Sequence, residues 1–297
     1  MGTSGWLLGK LRCPLGGGAL VRNGNVLVTQ SSGRRWNFTP EGVPDLLMAS
    51  EDPESRKVED ANECFHDTHA DVYDRETVRP DALYDGVSST LARLVEEHGH
   101  ATEFLDAGCG SGVVLRRVKP LVPNVVGVDL SRGMLARCLP FHSDLVRSTV
   151  TRMPFDDASF DGVSGYSLLH HLREPAEALR EFHRVLRPGG FLYTDNDSNA
   201  EFHRRFGWWL YIRRAAKVKR ARTAADAELE RLAEYHHGTG LDPEALRTSL
   251  LSVGFSRAAI VYTHPPRPDE FTQLLMRLEA HEPSTSLRYY FQLIAWK

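Results

Sequence analysis

A chain of 297 residues with 41% apolar side chains can fill one large domain plus a small appendage, and its formal charge of −3 lacks the basic excess that a large nucleic-acid footprint needs. No stretch approaches the ~20 consecutive apolar residues of a membrane span, the N-terminus lacks an apolar core of signal-peptide length, and Trp6 stands where a myristoylation pattern requires Ser or Thr. Four scattered cysteines, Cys13, Cys64, Cys109 and Cys138, argue against a disulfide framework and for a reducing compartment, so the expected location is cytoplasmic.

From the N-terminus, Leu11 to Leu47 reads as short strands separated by glycine turns, a small β unit over residues 1–50. In CPL at Cys13 and FTPEGVPDLL at Phe38 to Leu47 it resembles a small zinc-ribbon domain. A ribbon needs four Cys or His ligands. Here only Cys13 is offered, Gly16 stands where the second thiolate would be, and Ser31, Ser32 and Gly33 occupy the region of the other pair. The expectation is a degenerate ribbon without metal, which either packs against the main domain or recognises substrate. The polar, acidic run from Glu51 to Glu63 reads as linker. Phe65 to Glu76 is an amphipathic helical pattern containing Tyr73, and a further helix is expected from Leu83 to Glu97.

The most informative stretch follows. Leu105 to Gly112, LDAGCGSG, reads as an apolar strand running into a turn with glycines at 108, 110 and 112. Gly108 can take the positive φ of a tight turn, while Gly110 and Gly112 remove the Cβ atoms that would hold a ligand away from the backbone. Val125 to Asp129, VVGVD, is a second apolar run ending in a carboxylate. In a doubly wound α/β sheet that acid lies beside the first loop and can accept from both hydroxyls of a ribose.

These blocks resemble the class I S-adenosylmethionine-dependent methyltransferases. Met153 to Leu172 is similar to the family's third-to-fourth strand segment, and Arg180 to Asp195 to its helix, turn and fifth strand. Leu246 to Thr263 and Tyr289 to Lys297 resemble its closing helix and antiparallel strand pair. The resemblance implies a Rossmann-like α/β fold over residues 81–297, with a seven-stranded, mostly parallel sheet containing one antiparallel strand. It also implies S-adenosylmethionine as methyl donor, held by Asp106, Ala107, Gly108, Cys109, Gly110 and Gly112 in the loop. Asp129 would take the ribose, with Leu130 on the adenine face and Met134 nearby. Thr149, Thr151 and Met153 follow the third strand, where many relatives carry an acid for the adenine amino group that is missing here. Tyr166, Ser167 and Leu168 would border the sulfonium, and Tyr73, in the segment 51–80, would close over the donor. A dehydrogenase reading remains as an alternative, but its loop is GxGxxG. In this chain the third glycine comes one residue early, and Asp106 would repel a pyrophosphate while suiting an ammonium group.

Methyl transfer from a sulfonium needs no metal. A hydroxyl acceptor is helped by a general base, and His170 and His171, just beyond the fourth strand, lie where the ligand crevice of such a sheet opens. Either could equally shape the loop. His236 and His237 form a second pair, and Asp195 and Asp197 follow the fifth strand in a good turn sequence. Glu201 to Arg222 interleaves Arg204, Arg205, Arg213, Arg214, Lys217, Lys219, Arg220 and Arg222 with Phe206, Trp208, Trp209 and Tyr211. As part of a lid over 201–240, it is expected to cover the acceptor pocket, with Trp208, Trp209, Tyr211, His236 and His237 facing substrate. It is also the candidate for peripheral membrane contact through 203–222. The bland alternative is a helix whose apolar face packs on the domain while its arginines are solvated. The expected acceptor is a small or lipid-like metabolite methylated on oxygen. An RNA base is the alternative, with nucleic acid disfavoured by the overall charge.

Overall fold

The computed structural model describes residues 3–76, 84–217, 224–236, 238–265, 268–281 and 283–297. It opens with a short helix, α1 (Gly5–Lys10), capped by the Ser4 hydroxyl, which accepts from the Leu7 N–H. Strands β1 (Leu20–Asn23), β2 (Val26–Thr29) and β3 (Arg35–Asn37) then form an antiparallel sheet in that order. The unit does not stand apart. Leu7, Leu11, Leu27 and Leu46 are fully buried in the same core as Leu105, Val126 and Val146. Lys10 Nζ and Trp6 Nε1 donate to the two oxygens of Glu103 at 2.7 and 2.8 Å, which fastens α1 to the main sheet. Cys13 is buried and its thiol donates to the Leu15 carbonyl.

Glu51 to Glu63 is not a linker. Helix α2 (Pro53–Glu76) runs through it for 24 residues. Its start follows from local chemistry: Asp52 Oδ2 accepts from the Ser55 N–H at 2.8 Å, and Pro53 loses nothing at a first position that has no intrahelical N–H partner. Val58 and Ala61 are buried despite the acidic character of the stretch, so a sparse apolar stripe among charges decides its conformation.

Helix α3 (Asp85–His98) leads into the main sheet, whose order is β6-β5-β4-β7-β8-β10-β9. The strands are β4 (Glu103–Ala107), β5 (Asn124–Asp129), β6 (Leu145–Arg147), β7 (Phe160–Tyr166), β8 (Leu186–Ser198), β9 (Arg257–Thr263) and β10 (Tyr290–Trp296). Neighbours from β6 to β8 pair in parallel, whereas β10 is antiparallel to both β8 and β9. This is the expected seven-stranded, mostly parallel sheet. Strand β5 is buried along most of its length, which is why it reads as a continuous apolar run instead of an alternating one.

Helices α4 (Leu115–Val118), α5 (Arg132–Cys138) and α6 (Pro175–Val185) connect the parallel strands. Ser131 caps α5 by accepting from Met134 N–H. After β8 come α7 (Ala200–Lys217), α8 (Ala224–Ala233) and α9 (Pro243–Val253), the last capped by Asp242. An element the sequence reading lacked, α10 (Glu270–Glu279), lies between β9 and β10. The strand order reverses between β4 and β7, and in open α/β sheets ligands bind at the carboxyl ends of the strands beside that point.

Candidate donor and acceptor site

At that point Gly108, Gly110 and Gly112 all have positive φ, at 68°, 51° and 87°. The N–H groups of Gly108 and Cys109 both donate to the Val128 carbonyl, at 2.8 and 3.0 Å, so the turn is pinned to the tip of β5. A Cβ on Gly108 would come within 2.7 Å of Leu168 Cδ1, and one on Gly112 within 2.7 Å of Cys138 Sγ. The first glycine therefore keeps space at the site, while the third serves packing against α5.

Asp129 is tied into the same turn. Its Oδ2 accepts from Gly110 N–H and its Oδ1 from Ser131 N–H, each at 2.8 Å. A carboxylate has about four acceptor positions, so two remain for a vicinal diol. Burial raises the pKa of Asp129, opposed by these two backbone donors. Asp106 is more deeply enclosed. Its Oδ1 accepts from Ser164 Oγ at 2.6 Å, and its Oδ2 is buried without a partner. Burial pushes its carboxyl up to about 7 against the Ser164 hydrogen bond. An orphaned buried acceptor calls for a partner, and an ammonium group would supply one.

Around these groups lies a cleft whose empty volume, counted out to solvent, is about 1320 Å³. Of the residues singled out from the sequence, Asp106, Gly108, Cys109, Gly110, Asp129, Leu130, Met134, Thr151, Tyr166, Ser167, Leu168 and His171 line it. The glycine cradle, the orphan oxygen of Asp106 and the two-oxygen tip of Asp129 fit a zwitterionic nucleoside such as S-adenosylmethionine.

Other expectations are displaced. Ala107 and Gly112 support the turn without lining the cleft. Met153 is buried away from it, and its N–H is taken by Glu181 Oε1 at 2.6 Å. Tyr73 and His237 have side chains outside the described residues. Trp208, Trp209 and Tyr211 do not face the cleft. Trp209 stacks on Phe271 of α10 with ring centroids 4.6 Å apart, and Phe202, Phe206 and Leu275 complete that cluster. The aromatic face expected on substrate is thus spent on a helix-helix contact, which leaves Trp208 and Tyr211 exposed. The basic side chains from Arg213 to Arg222 lie outside the described residues.

What lines the cleft instead is α2, which is held by the end of α8. Glu59, Asn62 and His66 of α2 line it, as does Tyr84 at the start of α3. Glu59 Oε1 lies 3.4 Å from Thr149 Oγ1, which in turn is 3.0 Å from Thr151 Oγ1. Burial raises the pKa of Glu59, opposed by hydrogen bonds from Ser50 and Thr149. Asn62 Nδ2 donates to the Ala233 carbonyl at 3.0 Å, joining α2 to α8.

Both histidines after β7 are well ordered by their surroundings. His170 is buried off the cleft, its Nδ1 2.8 Å from Asp197 Oδ1. His171 lines the cleft, and its Nδ1 lies 2.7 Å from the Ala233 carbonyl oxygen. A carbonyl only accepts, so Nδ1 carries a proton, and the neutral imidazole has its lone pair on Nε2. The His66 ring meets His171 edge-on at 5.2 Å, and burial, reinforced by His171 and His170, pushes the His66 pKa down to about 3. His236 is placed by its N–H on the His170 carbonyl and does not line the cleft. Asp195 is consumed by Tyr193 Oη, Gln292 Nε2 and Asn196 N–H.

Residues 105–194 match a family model described as a methyltransferase domain. Among curated relatives, a demethylmenaquinone methyltransferase from Renibacterium salmoninarum is 33% identical over 138 residues, 44% of this chain and 58% of that protein. A malonyl-[acyl-carrier protein] O-methyltransferase from Dechloromonas aromatica is 38% identical over 108 residues, 34% of this chain and 39% of that one. Across the curated relatives named among its matches, the chain spans between 28% and 58% of their length. A solved structure of a SAM-dependent methyltransferase from Archaeoglobus fulgidus shares the fold at 17% identity, with a TM-score of 0.51 over 76% of this chain and 98% of that one. The family match begins at residue 105, so it lends the N-terminal unit no ribbon identity. That unit is a helix and a three-stranded sheet sharing the main core.

Proposed function

We propose that the chain is a class I S-adenosylmethionine-dependent methyltransferase, as its match to a methyltransferase domain over residues 105–194 supports, and that it methylates an oxygen of a small or amphipathic organic acceptor. The observation that carries this reading is His171: a proton acceptor fixed as Nε2 by the Ala233 carbonyl, on the wall of the cleft that holds the donor cradle. S-adenosylmethionine, when bound, supplies a methyl group on a sulfonium that needs no further activation. The residues do the remaining work. Asp106 takes the ammonium group through its orphan oxygen, Asp129 the ribose hydroxyls, and Gly108 leaves room beside Leu168 at the reacting end. Glu59, with the Thr149 hydroxyl, stands as the acid on the adenine side that the stretch after β6 lacks. The proton that the acceptor oxygen loses on methylation would pass to His171 Nε2. Holding the acceptor in line accounts for several kcal/mol of the barrier, about 7–11 in well-oriented systems.

The acceptor class is supported by two features. The relatives above are named for a demethylated menaquinone and for a malonyl group on a carrier protein. In addition, Trp208, Tyr211 and Ile212 of α7 are 60%, 75% and 57% exposed, a surface that suits an amphipathic substrate or the membrane interface that holds one. Among the described residues no helix is long and apolar enough to cross a membrane. Incubating the protein with methyl-labelled donor and a fractionated cell extract tests the reading. Label is expected in lipid or small-molecule fractions; label confined to RNA overturns the acceptor assignment.

A further inference from the structure

Beside the donor cradle, three side chains have the composition of a metal site. His170, His171 and Glu234 each bring a ligand atom to within 4.8 Å of the others, and Glu234 Oε2 lies 4.0 Å from His170 Nε2. We propose that this cluster binds one divalent transition-metal ion of the Zn²⁺ type.

The argument rests on what stands behind the ligands. Asp197, fully buried, holds His170 twice: its Oδ1 accepts from the backbone N–H at 3.1 Å and from the ring Nδ1 at 2.8 Å. A carboxylate on one ring nitrogen fixes the lone pair on the other, the arrangement that orients metal-bound imidazoles. His171 is set the same way by a backbone carbonyl, that of Ala233, at 2.7 Å. Ala233 ends α8 and is followed directly by Glu234, so one helix end supplies both the oxygen that orients the second imidazole and the carboxylate that completes the set. The helix end is itself tied to His170 through the N–H of His236, 2.8 Å from the His170 carbonyl.

Two imidazoles and one carboxylate suit Zn²⁺ and its neighbours in the transition series; Mg²⁺ and Ca²⁺ prefer all-oxygen sets. Metal-ligand bonds of about 2.0–2.2 Å in a tetrahedron place ligand atoms about 3.3 Å apart, so the cluster must tighten by roughly 1 Å. The Glu234 side chain is the more accessible of the pair, 24% exposed against 8% for His170, and would make the larger part of that movement. Because His171 lines the cleft, the coordination sphere adjoins the acceptor space. The site stands on geometry and not on the reaction proposed above; where both hold, ion and proton compete for the lone pair of His171.

The test uses the full chain, stripped with a chelator and titrated with Co²⁺ followed by visible absorption and calorimetry. Uptake of one Co²⁺ with ligand-field bands, displacement by Zn²⁺, and at least tenfold weaker binding in Glu234→Gln and His170→Ala are expected. Glu234→Gln changes a partly exposed group, and circular dichroism checks that each variant is folded. Absence of saturable uptake, or uptake equally tight in both variants, overturns the assignment. Donor binding on the same samples separates the two readings: Glu234→Gln keeps donor affinity if the metal site is distinct from the cradle, and failure of the unmodified chain to bind donor sinks the methyltransferase reading alone.

Discussion

The backbone N–H of Gly110 donates to Oδ2 of Asp129 across 2.8 Å, so the glycine turn and the acid at the tip of β5 form one hydrogen-bonded unit. The other oxygen of Asp129 holds Ser131, the cap of α5. Removing this side chain frees two backbone donors that shape the turn and, on the proposed binding mode, takes from the ribose its acceptors. Asp129→Ala is expected to weaken donor binding at least about tenfold, or ~1.4 kcal/mol. Calorimetric titration checks this, and unchanged affinity would place the nucleoside elsewhere.

Asp106 is expected to make donor binding depend on pH. Burial holds its carboxyl at about 7 in the folded chain, against 3.8 for an ordinary aspartate. Between those values the folded state keeps a proton that the unfolded state has lost. Its contribution to stability is therefore fully present below the unfolded value and is lost as pH rises toward 7. An ammonium group favours the ionised form, so donor affinity should rise about tenfold between pH 6 and pH 8 as binding expels that proton. Asp106→Asn should flatten this slope and make the donor-free protein relatively more stable at pH 8. An unaltered slope in the variant would assign the proton to another group.

Much of this site was legible because backbone constraints write themselves into sequence. Three glycines at positive φ, and continuous apolar runs in strands buried on both faces, leave few other readings for Leu105 to Asp129. What the sequence concealed came from tertiary context. Glu59, Asn62 and His66 reach the cleft only because α2 crosses it, and their stretch looks like linker since charged residues outnumber the few that pack. The segment after β9 likewise hid α10, although Asp269 before Phe271 and Leu275 is a cap-and-stripe signal: its Oδ1 accepts from Thr272 N–H at 2.9 Å. Without that helix in view, the packing alternative for Trp209 had no identifiable partner, and substrate was the expected destination. Tyr84, one residue before α3, lines the cleft without having stood out in the sequence, while the side chain of Tyr73, the aromatic expected there, lies outside the described residues.

Gly108 is the turn residue whose replacement should be felt most at the site. Its φ of 68° costs an L-residue roughly 1–2 kcal/mol, and the added methyl would press on Leu168 at 2.7 Å. Gly108→Ala should lower unfolding stability by about that amount and weaken donor binding as Leu168 is driven into the cleft. Urea denaturation and donor titration separate the two effects; loss of stability with full donor affinity would show that Leu168 moves away from the cleft instead.

The contact between α7 and α10 should be structural. Trp209→Ala removes the ring stacked on Phe271 and is expected to cost about 1–3 kcal/mol, a half-buried aromatic giving less than a fully buried one. Donor affinity should stay within about twofold. A strong fall in donor affinity with stability intact would return this tryptophan to the ligand cleft.

His171 decides between base and wall. If its Nε2 receives the acceptor proton, His171→Ala should lower kcat by roughly 10²–10⁴, the range of general-base catalysis, with donor affinity changed by less than about threefold. His171→Gln gives a sharper comparison. A glutamine amide nitrogen can still donate toward the Ala233 carbonyl, preserving the α8 contact, yet its oxygen is too weak a base to accept the proton. Equal kcat losses in the two variants therefore indicate proton transfer. Recovery of most activity by glutamine would mean that His171 matters for its contact with the end of α8, and an amine acceptor delivered already deprotonated would become the better reading of the chemistry.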